Sequence, residues 1–148
     1  MKPHFLPAQG LQRGVSLLEV MIAVVILSFG LLGLAGLQVT SLRNNQSAME
    51  RSLAVIHSYS IIDAMRADRN NATTGAFNLG LEDDAPSGSS FAATQLAEWR
   101  TLLTETLGEG ASGSVNCNGA DCTVIIRWND ERGLDGSATQ NLSTQAQL

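Results

Sequence analysis

Lysine is almost missing from this 148-residue chain; Lys2 is the only one. Basic residues number 9 against 14 acidic, for a net charge of −5. A nucleic-acid surface needs clustered Lys and Arg, so no nucleic-acid partner is expected. Histidine occurs only at His4 and His57, and cysteine only at Cys117 and Cys122. That is too thin a set of N and S ligands for a zinc site, and no metal is expected. No Ser stands in a nucleophile-elbow motif, and no phosphate loop or dinucleotide fingerprint is present. The chain therefore reads as no enzyme, with no cofactor and no small-molecule substrate. Proline is absent between Pro7 and Pro86, which leaves a long stretch free to be helical.

What is present begins at Gly14. From Val15 to Leu37 there are 23 residues with one charge, Glu19. A helix of that length spans about 35 Å, enough to cross an apolar bilayer core of ~30 Å. A carboxylate one turn inside such a helix is costly and marks a functional site by default. Ser16 and Glu19 also have capping-box spacing, so helix capping is the plainer role for Glu19. Gly30, Gly33 and Gly36 recur every three residues. They serve close helix packing or are simply tolerated in a membrane helix.

The preceding segment, Met1 to Gly14, carries Lys2, Arg13, Pro3 and Pro7 and no periodic apolar pattern. It reads as an unstructured, removable leader. An ordinary secretory signal would place an A-x-A site after the apolar run; Ala35-Gly36-Leu37 is the nearest substitute. Removing Met1 to Gly14 leaves 7 basic residues against 14 acidic, a net charge of −7 and no lysine. Lys2 and Arg13 before the helix, against Arg43 after it, favour a cytoplasmic N-terminus.

From Gln38 the helix continues to Arg69 and becomes amphipathic. At ~100° per residue, Leu42, Met49, Leu53 and Ile56 share one side, and Val55, Tyr59, Ile62 and Met65 share the other. Two apolar faces imply two partners, or burial on both sides within one domain. Asn70-Asn71 and Thr73-Thr74-Gly75 read as a stop. Val15 to Arg69 would be about 80 Å of helix, too long for the remaining residues to bury.

Residues 76–90 are polar and turn-rich. The triplet Glu82-Asp83-Asp84 lacks the spaced ligands of a calcium loop and reads as a solvated loop. Thr94 to Leu107 is a second helix, with Leu96, Trp99, Leu103 and Leu107 on one face, ended by Gly108 and Gly110. Val124, Ile126 and Trp128 alternate with Thr123, Ile125 and Arg127 as a half-buried strand. Val115 and Cys117 fit a shorter strand before it, and Asn118-Gly119 is a hairpin signal. Only a weak candidate strand, Asn141 to Thr144, follows. In an oxidising compartment Cys117 and Cys122 would form a disulfide across that hairpin. A redox motif would normally be C-x-x-C.

The basic leader, Gly14, and an apolar helix with Glu five residues on resemble the prepilin signal of type IV pilins and type II secretion pseudopilins. The runs LLEVMIAVVILSFGLLGLAGLQ, SLRNNQSA, AEWR and IIRWND are similar to the PilV group of minor pilins. That resemblance implies an α+β pilin fold, a long N-terminal helix packed on a small antiparallel sheet. It implies cleavage between Gly14 and Val15 by the prepilin peptidase, N-methylation of Val15, and Glu19 as the assembly carboxylate. Val15 stands where many major pilins have Phe, which suits a minor one. The implied partners are the prepilin peptidase, other minor pilins, the major pilin, and the bacterial inner membrane before assembly. The implied role is to prime pilus assembly at the tip as a low-abundance subunit. The resulting organisation is a leader (1–14), a transmembrane or filament-core helix (15–37), its amphipathic continuation (38–69) and a periplasmic head (70–148). Two alternatives remain: a type II secretion pseudopilin, and a membrane-anchored periplasmic binding protein that never polymerises.

Overall fold

The computed structural model describes residues 14–133 and 136–148. The leader expected at Met1 to Gly14, with Lys2 and Arg13, lies outside them except for Gly14. The chain divides into two units, one ending at Val39 and one from Thr40 to Leu148.

Helix α1 runs Leu17–Ala67. No proline interrupts it, and its last turn carries Arg66, favourable at a helix C-terminus. In the first unit its side chains are exposed, and the helix is long and apolar enough to cross a membrane. That fits membrane anchoring. Glycines 30, 33 and 36 have open space where a Cβ would go. Nothing among the described residues requires their small size.

The second unit is built on the other end of α1. Ala54, His57, Ser58, Ile61, Ile62 and Met65 are buried there, at helical spacing on one face. This corrects the two faces read from the sequence. Ile62 and Met65 are core, but Val55 and Tyr59 are exposed, as are Leu42, Met49 and Ile56. Apolarity alone could not rank them, because small Ala54 and polar His57 and Ser58 lie on the covered face. The helix also stops earlier than Arg69. A separate short turn, α2, covers Arg69–Thr73, so Asn70 and Asn71 are helical rather than a stop.

Helix α3 covers Phe91–Leu107, three residues longer at its start than its apolar period suggested. Ser90 is the N-cap, its Oγ accepting from Ala93 N–H at 3.2 Å. The helix ends where Gly108 adopts φ 97°, a conformation that favours glycine. Ala92, Leu96, Trp99, Leu103 and Leu107 form its buried face.

Three strands follow: β1 Ser112–Asn118, β2 Asp121–Trp128 and β3 Gln140–Gln147. They form an antiparallel sheet in the order β1-β2-β3. The β1–β2 turn is Gly119-Ala120, with Asn118 paired to Asp121. Glycine thus takes the first central turn position, at φ 64°, as a type II′ turn requires. The Asn-Gly signal located the hairpin one residue early. On β2, Cys122, Val124, Ile126 and Trp128 are buried and their neighbours are not. Strand β3 is twice the length of the weak candidate at 141–144. It pairs with β2 along its whole length.

The core joins Ile61, Ile62 and Met65 of α1 to Leu96, Trp99 and Leu103 of α3 and to Val115, Val124 and Ile126 of the sheet, with Phe77 from the connection. This is an α+β arrangement with the helices on one sheet face, as the pilin resemblance implies.

Candidate functional site

The residues singled out by the sequence fall in two places. Gly14, Val15, Ser16 and Glu19 lie together around a shallow concavity at the start of α1. The Ser16 carbonyl accepts the first helical bonds, from Glu19 N–H at 3.0 Å and Val20 N–H at 3.2 Å. The capping box does not form: among the described residues no hydrogen bond reaches the Ser16 hydroxyl or the Glu19 carboxylate. Glu19 is therefore not consumed by capping its own helix. Val15 precedes the helix and is 71% exposed. A Cβ at Gly14 would meet nothing within 4 Å among the described residues, so they set no steric demand for glycine there.

The other place is the hairpin. Cys117 and Cys122 are direct cross-strand partners and form a disulfide. Both are buried, and Cys117 Sγ lies 3.6 Å from Met65 Sδ of α1. The bridge is thus part of the core.

The acidic triplet has a structural task that the solvated-loop reading missed. Glu82 accepts from Arg127 Nη1 at 2.6 Å, and that hydrogen bond, then the Arg127 charge, holds the Glu82 carboxyl below its usual range. Asp83 Oδ2 accepts from Gly80 N–H at 2.7 Å. Arg100 ties the same loop to α3. Its guanidinium donates to the carbonyls of Gly80 (2.7 Å) and Asp83 (3.0 Å) and to Ser112 Oγ (2.7 Å). A loop bound by five-donor arginine geometry offers little hint of itself in sequence.

Asp130 is a second residue whose task sequence reading missed. It is buried after β2, and its Oδ2 accepts from Ser47 Oγ of α1 at 2.6 Å, with Arg51 Nη2 3.9 Å away. A buried carboxylate needs such partners. They fix the β2–β3 connection to α1.

His57 is the one histidine in the second unit. Thr106 donates its hydroxyl to the Leu102 carbonyl at 2.6 Å, so at 2.9 Å its oxygen accepts from His57 Nε2–H. Burial pushes the imidazole pKa down. The ring is a neutral donor to Thr106, the reverse of what a general base would do to that hydroxyl. Trp99 Nε1–H donates to the His57 carbonyl at 3.0 Å, locking α3 to α1.

Residues 10–35 match the family model described as the prokaryotic N-terminal methylation motif. No curated protein and no solved structure matches the chain. The motif supports a type IV pilin-like or pseudopilin protein. Its prepilin signal implies processing by a prepilin peptidase and assembly with other pilins.

Proposed function

We propose that this chain is a PilV-like minor pilin that, with other minor pilins, primes a type IV pilus at its tip. It performs no chemistry of its own. Prepilin peptidase cuts between Gly14 and Val15 and methylates the Val15 amine. The anchor holds the subunit in the inner membrane with a cytoplasmic N-terminus and a periplasmic head until it enters the fibre.

The observation that carries this reading is Glu19, a carboxylate inside an apolar helix with no hydrogen-bond partner among the described residues. Cleavage would create a positive amine at Val15. Unpaired charges in an apolar surrounding cost several kcal/mol. Glu19 lies about 6 Å along the axis from Val15, within reach of its own amine or, after an axial shift, of a neighbour's. Pairing with a neighbour rewards docking in one register. A membrane anchor that never polymerised would have no use for Glu19.

The motif match ends at residue 35, within the segment that pilins and type II secretion pseudopilins share. The pseudopilin reading therefore stands second. A deletion that stops secretion but spares pili would favour it.

Glu19→Ala tests the proposal. The variant is expected to be cleaved after Gly14 and to reach the membrane at wild-type level, yet to leave surface pili scarce. Glu19→Asp, with the charge kept and the reach shortened, is expected between the two. Normal pilus counts in Glu19→Ala at matched membrane levels would refute the pairing.

A further inference from the structure

The β1–β2 turn holds the one Asn-Gly pair in the chain, and the groups by which such a pair reacts are free. Asn118 and Gly119 are both exposed. Neither the Gly119 N–H nor the Asn118 side-chain amide makes a hydrogen bond among the described residues. Space stands open where a Cβ of Gly119 would go, so no side chain screens its nitrogen.

What opposes reaction is the backbone. Asn118 is the last residue of β1 and pairs with Asp121. In an extended residue the side-chain carbonyl carbon stands away from the following nitrogen, so ring closure requires Asn118 to leave the ladder. Its surroundings resist that. The disulfide joins the neighbouring pair, Cys117 and Cys122. The Asn78 side chain holds the Cys117 backbone, its Oδ1 accepting from the N–H at 2.7 Å and its Nδ2 donating to the carbonyl at 3.4 Å. The Ala120 carbonyl accepts from Leu148 N–H at 2.9 Å, which fixes the turn to the residue after β3.

We propose that Asn118 is a deamidation site gated by the Cys117–Cys122 bridge, closed while the bridge is in place and open when it is absent. The Gly119 nitrogen gives up its proton and bonds to the Asn118 side-chain carbonyl carbon. The bond from that carbon to the side-chain nitrogen breaks, and ammonia leaves with the proton. Water then opens the imide ring and leaves aspartate or isoaspartate at position 118. Water is taken up, ammonia is released, and nothing is oxidised or reduced. The bridge matters more than the hydrogen bonds around it because those open locally, well below the free energy of global unfolding. A covalent link keeps the neighbouring pair together through each such opening and restricts the conformations the loop can reach. The product carries a negative charge directly opposite Asp121, and like charges so placed repel. Later closure of the bridge does not restore the amide, so the modification records time that the head spent unbridged.

The experiment incubates the full-length chain in mild detergent at mildly alkaline pH. The turn peptide is followed by mass and by enzymatic methylation of isoaspartate. The oxidised wild type is expected to change slowly at position 118, and Cys117→Ser/Cys122→Ser about tenfold faster. Gly113→Ala keeps the bridge in a less stable head and is expected to match the wild type, which separates the bridge from stability in general. The denaturation midpoint reports whether the double serine variant folds. If it does not, Cys117→Ala/Cys122→Val, which keeps the buried pair apolar, makes the same test. Equal rates with and without the bridge, a Gly113→Ala rate as fast as that of the unbridged variant, or no product at position 118 in any variant overturns the proposal.

Discussion

At the scale of the residue, the head depends on contacts that its sequence does not advertise. Gly113 on β1 lies under the Trp99 ring and Leu103, and a Cβ there would collide with both. Trp99 cannot retreat without breaking its bond to the His57 carbonyl. Gly113→Ala is therefore expected to destabilise the head by about 1–3 kcal/mol, read as a lower denaturation midpoint. Gly36→Ala, where the methyl meets open space, is expected to leave that midpoint unchanged. Sequence reading recognised Trp99 as a core residue from its helical spacing. It had no means of seeing Gly113, because the need for glycine arises only when α3 crosses β1. Asp130 escaped for the same reason: its partners, Ser47 and Arg51, lie on an element distant in sequence.

At the scale of the element, legibility tracks how much of an element's stability is its own. Strand β2 has β-branched and aromatic residues in strict alternation and was visible at once. Strand β3, Gln-Asn-Leu-Ser-Thr-Gln-Ala-Gln, has only Leu142, Thr144 and Ala146 to turn inward, and its pairing is imposed by β2. The start of α3 was hidden because Ser90 belongs equally to a Ser-rich loop and to a cap. The hairpin disulfide could be read because both signals, the cysteine pair and the turn, are local. Closing so short a loop contributes roughly 2–3 kcal/mol in the chain-entropy picture. Replacing Cys117 and Cys122 by Ser is expected to lower protein level and pilus number while leader cleavage stays normal. Free thiols on the native protein, detected by alkylation without reductant, would refute the premise.

At the scale of the whole molecule, the two units differ in what they need from outside. The second contains its own core. No described residue of the first is buried within the chain, and Gly14 and Glu19 make no contact among the described residues that explains them. That is why the sequence pattern points to this site while the fold adds little to it: on the proposed function, the complementary surfaces belong to a peptidase, a bilayer or a neighbouring subunit. Intact mass of membrane-extracted protein is expected to place the mature start at Val15, with one added methyl group on the amine. A chain that keeps Met1 to Gly14 where the peptidase is active would end the pilin reading. As the filament subunit proposed above, the chain would bear mechanical load, and here the placement of the disulfide matters. It joins residues already opposite each other in the ladder, so it shields only the loop between them, roughly 15–20 Å of extensible chain. Under tension the rest of the β1–β2 ladder and the entire β2–β3 ladder have only hydrogen bonds and packing to resist unzipping. The oxidised head would therefore stretch almost as far as the reduced one.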